Sequence, residues 1–149
     1  MATIEKLFEF SDAQAMPDDA TVISTNVLNW VENFQFEVCH KPLFIVVKIN
    51  TVTSTGTSIV AQVRRHTTAT TTSGTLLLTG EIVATANMSA DPRSMNHILA
   101  VFVLPPRMDA ADYLGLEYTC VGTCSDGAVD AYVSPNVPWH STQVNTSNI

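Results

Sequence analysis

From residue 43 onward, apolar and polar side chains alternate with a period of two. Leu43, Ile45, Val47 and Ile49 fall on one face, with Phe44, Val46 and Lys48 on the other. Ile59, Ala61 and Val63 alternate with Val60, Gln62 and Arg64. Leu114, Leu116, Tyr118 and Cys120 alternate with Gly115, Glu117 and Thr119, and Val129, Ala131 and Val133 with Ala128, Asp130 and Tyr132. Successive side chains of a strand point to opposite faces, so this period predicts half-buried antiparallel strands. Residues 98–104 break the rule. Leu99, Val101 and Val103 share one face, while Ile98, Ala100, Phe102 and Leu104 share the other. A strand apolar on both faces is either central or presents its outer face to another subunit. One core face needs less apolar surface than this, so Leu99, Val101 and Val103 are expected at a subunit contact in a homo-oligomer.

Turn chemistry separates these runs: Thr-Ser-Thr-Gly at 53–56, Thr-Thr-Thr-Ser-Gly at 70–74, longer connections at 87–92 and 105–112, and Ser-Asp-Gly at 125–127. Short strands joined in this way point to an antiparallel β-sandwich or barrel. Two short helices are expected, over residues 11–16, capped by Ser11 or Asp12, and over residues 91–96, with Pro92 in the first turn. The ends fall outside the pattern. Residues 1–21 are polar with isolated Phe8 and Phe10, and residues 134–149 carry Pro135, Pro138 and Trp139 among Ser, Thr and Asn. Neither segment buries enough to fold alone, so both read as arms ordered by docking on a partner or a second copy, flanking a body at residues 22–133.

Composition supports one folded unit. The chain has 149 residues, 46% of them hydrophobic and 14% charged, which is low against about 25% in an average domain. A chain of that length builds one core without staples. The net charge is −7 and the pI about 4.8. Among the basic residues only Arg64 and Arg65 cluster, so a phosphate-binding face is not expected, and nucleic acid is not an expected partner. No secretion signal and no membrane span are expected: an acid, Glu5, stands early, and the strongest apolar run ends at Pro105-Pro106, far short of the ~20 residues a span needs.

Candidate chemistry is sparse. Asp109, Asp112, Asp126 and Asp130 lie at loops and turns, where acids commonly serve turn geometry rather than a paired general acid and base. His40, His66, His97 and His140 lack a Ser or Cys partner at a recommending spacing. Cys120 and Cys124 flank a turn and read as small buried residues. Cys39 beside His40 lacks the further ligands that zinc needs. The expectation is therefore no enzyme, no catalytic residue, no cofactor and no metal. Two Asn-X-Ser sequons, at Asn87 and Asn145, lack a supporting secretory signal. Trp30 and Trp139 are expected to act as anchors of the two arms, with sugar-stacking platforms as the alternative.

One resemblance adds to this reading. The run Phe-Glu-Phe-Ser-Asp-Ala-Gln-Ala-Met at 8–16, followed by Ser-Thr-Asn-Val-Leu-Asn-Trp at 24–30, resembles the opening of the small jelly-roll cement (decoration) proteins of tailed bacteriophages. Asp-Tyr-Leu-Gly-Leu-Glu-Tyr at 112–118, then Gly-Thr-Cys-Ser-Asp-Gly-Ala-Val-Asp-Ala-Tyr at 122–132, resembles their closing hairpin. The resemblance implies an all-β, jelly-roll-like sandwich with extended arms. It also implies a structural virion protein, made in the host cytoplasm, that binds the outer surface of the phage head and clamps neighbouring major capsid proteins. The acidic charge fits the outside of a DNA-packed shell. A homo-oligomer follows, a dimer favoured over a trimer, with Phe8, Phe10, Trp30, Leu99, Val101, Val103 and Trp139 as its expected capsid or subunit contacts. The alternative function is a carbohydrate-binding jelly roll used for adhesion on the virion surface.

Overall fold

The computed structural model describes residues 8–29, 43–70, 74–104 and 113–135. Ten strands run through them: β1 (Glu9–Ala15), β2 (Thr21–Ile23), β3 (Leu28–Asn29), β4 (Phe44–Thr51), β5 (Thr55–His66), β6 (Thr75–Thr79), β7 (Val83–Ala84), β8 (Ile98–Val103), β9 (Tyr113–Thr123) and β10 (Ala128–Ser134). No α-helix occurs among the described residues. All pairings are antiparallel.

The pairing is nested. β1 lies beside β10, β2 beside β9, β4 beside β8 and β5 beside β6. First meets last, second meets next to last, and so inward to β5 and β6. Contacts of β4 with β10 and of β5 with β9 then join the pairs into two sheets, ordered β1-β10-β4-β8 and β2-β9-β5-β6. A long double-stranded ribbon folded over on itself in this way is a jelly roll.

The inner faces of both sheets form one core. The first sheet contributes Phe10, Ile45, Val47, Ile49, Phe102 and Val129. The second contributes Leu28, Ile59, Val63, Leu114, Leu116 and Tyr118. In β5 and β10 the predicted alternation is the alternation of burial, whereas in β4 and β9 Val46, Gly115 and Glu117 of the other face are buried as well. The sandwich is close-packed where the sheets meet: a methyl placed on Gly80 would lie 3.3 Å from Phe102 Cζ and 3.4 Å from Ala100 Cβ.

Three expectations are corrected. Residues 11–16 are not a helix, since Glu9–Ala15 is β1. Pairing with β10 satisfies this backbone better than one isolated helical turn could. The strand keeps irregularity, with two register shifts and Ala13 at φ 45°. Ala13 N–H is held there by Asp130 Oδ1 at 2.7 Å. Nor do residues 91–96 form the expected helix; a 3-10 turn spans only Met95–His97. Ser89 Oγ, Asp91 Oδ1 and Ser94 Oγ accept the N–H groups of Asp91, Arg93 and Asn96, and such local bonds compete with helix formation.

The third correction concerns β8. A register shift opposite Val47 and Lys48 breaks its two-residue period. Leu99, Ala100, Phe102 and Leu104 therefore join the main core, while Ile98 and Val101 pack on the opposite face with Val46, Phe44 and Tyr132. Leu99 and Val101 do not share a face.

Candidate interaction surfaces

The residues expected to contact a partner are mostly occupied within the chain. Phe10 has no exposed surface and sits in the main core. Phe8 is half-buried and packs against the same core. The aromatic pair read as a docking arm is thus corrected: Phe10 is an internal pillar of the sandwich, and the body begins at β1 rather than at residue 22. Leu99 and Val101 are 3% and 1% exposed, and Val103 is half-buried. Trp30 and Trp139 lie outside the described residues.

The turn acids work as clasps. Asp18 Oδ1 accepts the backbone N–H groups of Cys124 (2.7 Å) and Ser125 (2.8 Å), and Asp19 Oδ1 accepts that of Gly122 (2.6 Å). Asp19 N–H returns a bond to Gly122 O at 3.0 Å, and Met16 N–H one to Gly127 O at 3.0 Å. The segment after β1 is thereby stitched to the β9–β10 hairpin. Gly122 sits at φ 84°, where a side chain would be strained and would crowd Thr57. On the far side of the hairpin, Asp126 accepts from Thr53 Oγ1 (2.7 Å), Ser54 N–H (2.9 Å) and Ser54 Oγ.

Those bonds, chiefly from Ser54 and Thr53, hold the Asp126 carboxyl down at about 2, against 3.8 for an ordinary aspartate. A depressed folded pKa contributes stability above the unfolded value and loses it as pH falls through the folded one. Asp126→Asn is therefore expected to melt below the parent at neutral pH, with the gap closing as pH falls from 3.8 towards about 2. Thermal melts across that window check it; a gap independent of pH would remove the ionised carboxylate from the account.

Asp130 bonds to Asn50 and lies 3.9 Å from Lys48 Nζ, which also stands 5.6 Å from the ring centre of Tyr132. Asp109, Asp112, His40, His140 and Cys39 lie outside the described residues. His66 Nδ1 meets Thr68, and buried His97 lies 3.3 Å from Ser89 O through Nδ1. Cys120 and Cys124 are free and buried, and burial raises both thiol pKa values, that of Cys120 to about 12. Reactive thiols require the opposite shift. Among the described residues no group of three or more His, Cys, Asp or Glu is placed to hold a metal, and no helix is long and apolar enough to cross a membrane.

Three large apolar side chains among the described residues are exposed. Leu76 is 44% exposed, Ile82 76% and Val121 49%. Leu76 belongs to β6, whose sequence is Thr-Leu-Leu-Leu-Thr and which stands last in its sheet. Three consecutive leucines lack the alternation used to find the other strands. The usable signal was a short, uncharged β-compatible run following the glycine of a turn.

No protein-family model matches this chain, and neither does any curated protein.

Proposed function

We propose that this chain is a cement, or decoration, protein of a tailed bacteriophage head. On this reading it binds the outer capsid surface and stabilises contacts between neighbouring major capsid proteins. The observation that carries the proposal is the pairing of the two blocks that resemble such proteins. The opening runs supply β1 and β3, and the closing runs supply most of β9 and β10; β1 lies on β10 and β3 on β9, while β2, in the segment between the two opening runs, also lies on β9. Segments about a hundred residues apart in sequence thus form one continuous structural unit, as a resemblance with shared architecture requires. The acids of this unit hold turns, and its thiols are protonated and buried, which favours a structural role over a catalytic one.

Cementing would work by avidity. A rigid module touching several capsid subunits makes each later contact intramolecular, so modest contacts resist rupture together. The acidic surface suits the outside of the shell rather than its DNA-filled interior. Because Phe10 is internal, the contacts fall to loops and to the segments carrying Trp30 and Trp139. Mixing the purified chain with mature heads and with unexpanded procapsids of the phage that encodes it tests the proposal. Co-sedimentation with mature heads is the expected result, and sedimentation with neither particle would count against it.

A further inference from the structure

Cys120 and Cys124 are separated by Val121, Gly122 and Thr123. Along an unbroken strand, residues four apart lie about 13 Å from each other, whereas a disulfide needs Cα atoms about 4.4–6.8 Å apart. The chain does not run straight here. Gly122 takes φ 84°, a conformation suited to glycine, and Cys124 Sγ folds back to 3.5 Å from Val121 O. β5 carries a register shift between Gly56 and Ser58 opposite this bend. It also leaves the sulfur its space: a methyl on Gly56 would collide with Cys124 Sγ. Both cysteine side chains join the main core, and the two thiols are in hydrogen-bond contact with one another.

The backbone at both cysteines is held in place. Cys120 lies opposite Ile59 of β5, and its N–H donates to Ala20 O at 2.9 Å. Cys124 N–H donates to Asp18 Oδ1 at 2.7 Å, and Cys124 O accepts Gly127 N–H at 2.9 Å. The native fold thus brings two buried sulfurs together and keeps them there. A close-packed interior has no room for a bulky external thiol bonded to either one, whereas a bond between the two sulfurs needs no added volume.

We propose that Cys120 and Cys124 form a reversible disulfide within the native sandwich, fastening the end of β9 to the turn that leads into β10. The oxidant is a small disulfide such as oxidised glutathione. One cysteine, as its thiolate, attacks that disulfide, breaks its S–S bond and releases the first glutathione. The other cysteine then attacks the protein sulfur of the mixed disulfide and releases the second. One bond forms between the two Sγ atoms, two electrons pass from the pair to glutathione, and the two thiol protons end on the two glutathione thiols. Burial keeps both cysteines protonated, so exchange is slow and proceeds through local opening of the turn. A reducing compartment holds such a pair as thiols, and an oxidising one as the disulfide. The inference does not depend on the capsid reading, because it concerns the purified full chain.

Equilibrating the folded full chain in glutathione buffers from reduced to oxidised, then blocking free thiols and mapping fragments, tests it. No Lys or Arg follows Arg107, so the tryptic fragment 108–149 carries both cysteines and excludes Cys39. In oxidised buffer this fragment is expected to carry no blocking group and to weigh about 2 Da less than its dithiol form, the loss of two hydrogens. Dithiothreitol should restore both thiols. The bridged chain should keep the circular dichroism of the reduced one and melt a few degrees above it, since so short a loop restricts the unfolded chain only modestly. Cys120→Ser and Cys124→Ser should each abolish the loss. A folded chain whose fragment keeps both thiols in oxidised buffer would overturn the proposal. So would a stable glutathione adduct in place of the bridge, a link from either residue to the fragment carrying Cys39, or a bridged chain that melts below the reduced one. Should neither serine variant fold, the fragment mass of the natural chain decides alone.

Discussion

Phe10→Ala is expected to lower stability by about 3–5 kcal/mol, the usual cost of truncating a fully buried phenylalanine. Phe10 is 0% exposed and lies in the cluster shared by both sheets. Truncation would leave a cavity under β1, whose margin of the sheet is already irregular. A loss that size is a large part of the roughly 5–15 kcal/mol that holds a domain folded. A chain of this length loses about 2–4 °C of melting temperature per kcal/mol, so a fall near 10 °C is expected. Removing residues 1–10 should do at least as much harm, whereas a free docking arm could be deleted without affecting the fold. Thermal melts followed by circular dichroism distinguish the two. Unchanged melting in both variants would mean that β1 contributes nothing to the body.

Tyr118→Ala should be comparably damaging, for a second reason. Tyr118 is fully buried in β9, and its hydroxyl lies 2.9 Å from Ser11 Oγ in β1. Ser11 donates to Gln14 Oε1 at 2.7 Å, so Tyr118 is the donor to Ser11. Gln14 Oε1 also accepts Thr25 N–H, while Gln14 Nε2 donates to Ile23 O. One chain of hydrogen bonds thus runs from the second sheet through the first to the connection after β2. Truncation to alanine removes both the ring and the head of this chain, at about 3–5 kcal/mol. Tyr118→Phe isolates the hydroxyl and should lose about 0.5–1.5 kcal/mol. Burial raises the Tyr118 pKa above its ordinary 10.0. A raised folded pKa contributes stability below the unfolded value and loses it as pH rises further. The gap between Tyr118→Phe and the parent should therefore narrow above pH 10.0, and alkaline melts would expose a constant gap.

The residues explain why parts of this fold were legible and others were not. β4, β5, β9 and β10 sit inside their sheets with one face on the core, so Ile45, Ile59, Leu114 and Val129 each begin a run of core residues at every second position. β8 was legible as a strand but not in its facing, because the shift opposite Lys48 moves Leu99 and Val101 to different faces. β1 was hidden. Asp12, Ala13 and Gln14 read as the start of a helix, and only the distant partner Asp130 explains the strained backbone at Ala13. Phe8 and Phe10 looked unsupported for the same reason: the surface that buries Phe10 is built mostly by strands far along the chain. The turn around Asp126 was legible from its own residues, but the partners of its carboxylate, Thr53 and Ser54, stand in a turn far back along the chain and were not.

The most direct test of the cement proposal is a cryo-electron microscopy reconstruction of mature heads with and without the protein. Difference density on the outer surface is expected to fit the β1–β10 jelly roll and to bridge adjacent major capsid subunits. Density inside the shell or only at the tail, or identical heads in the two samples, would contradict it.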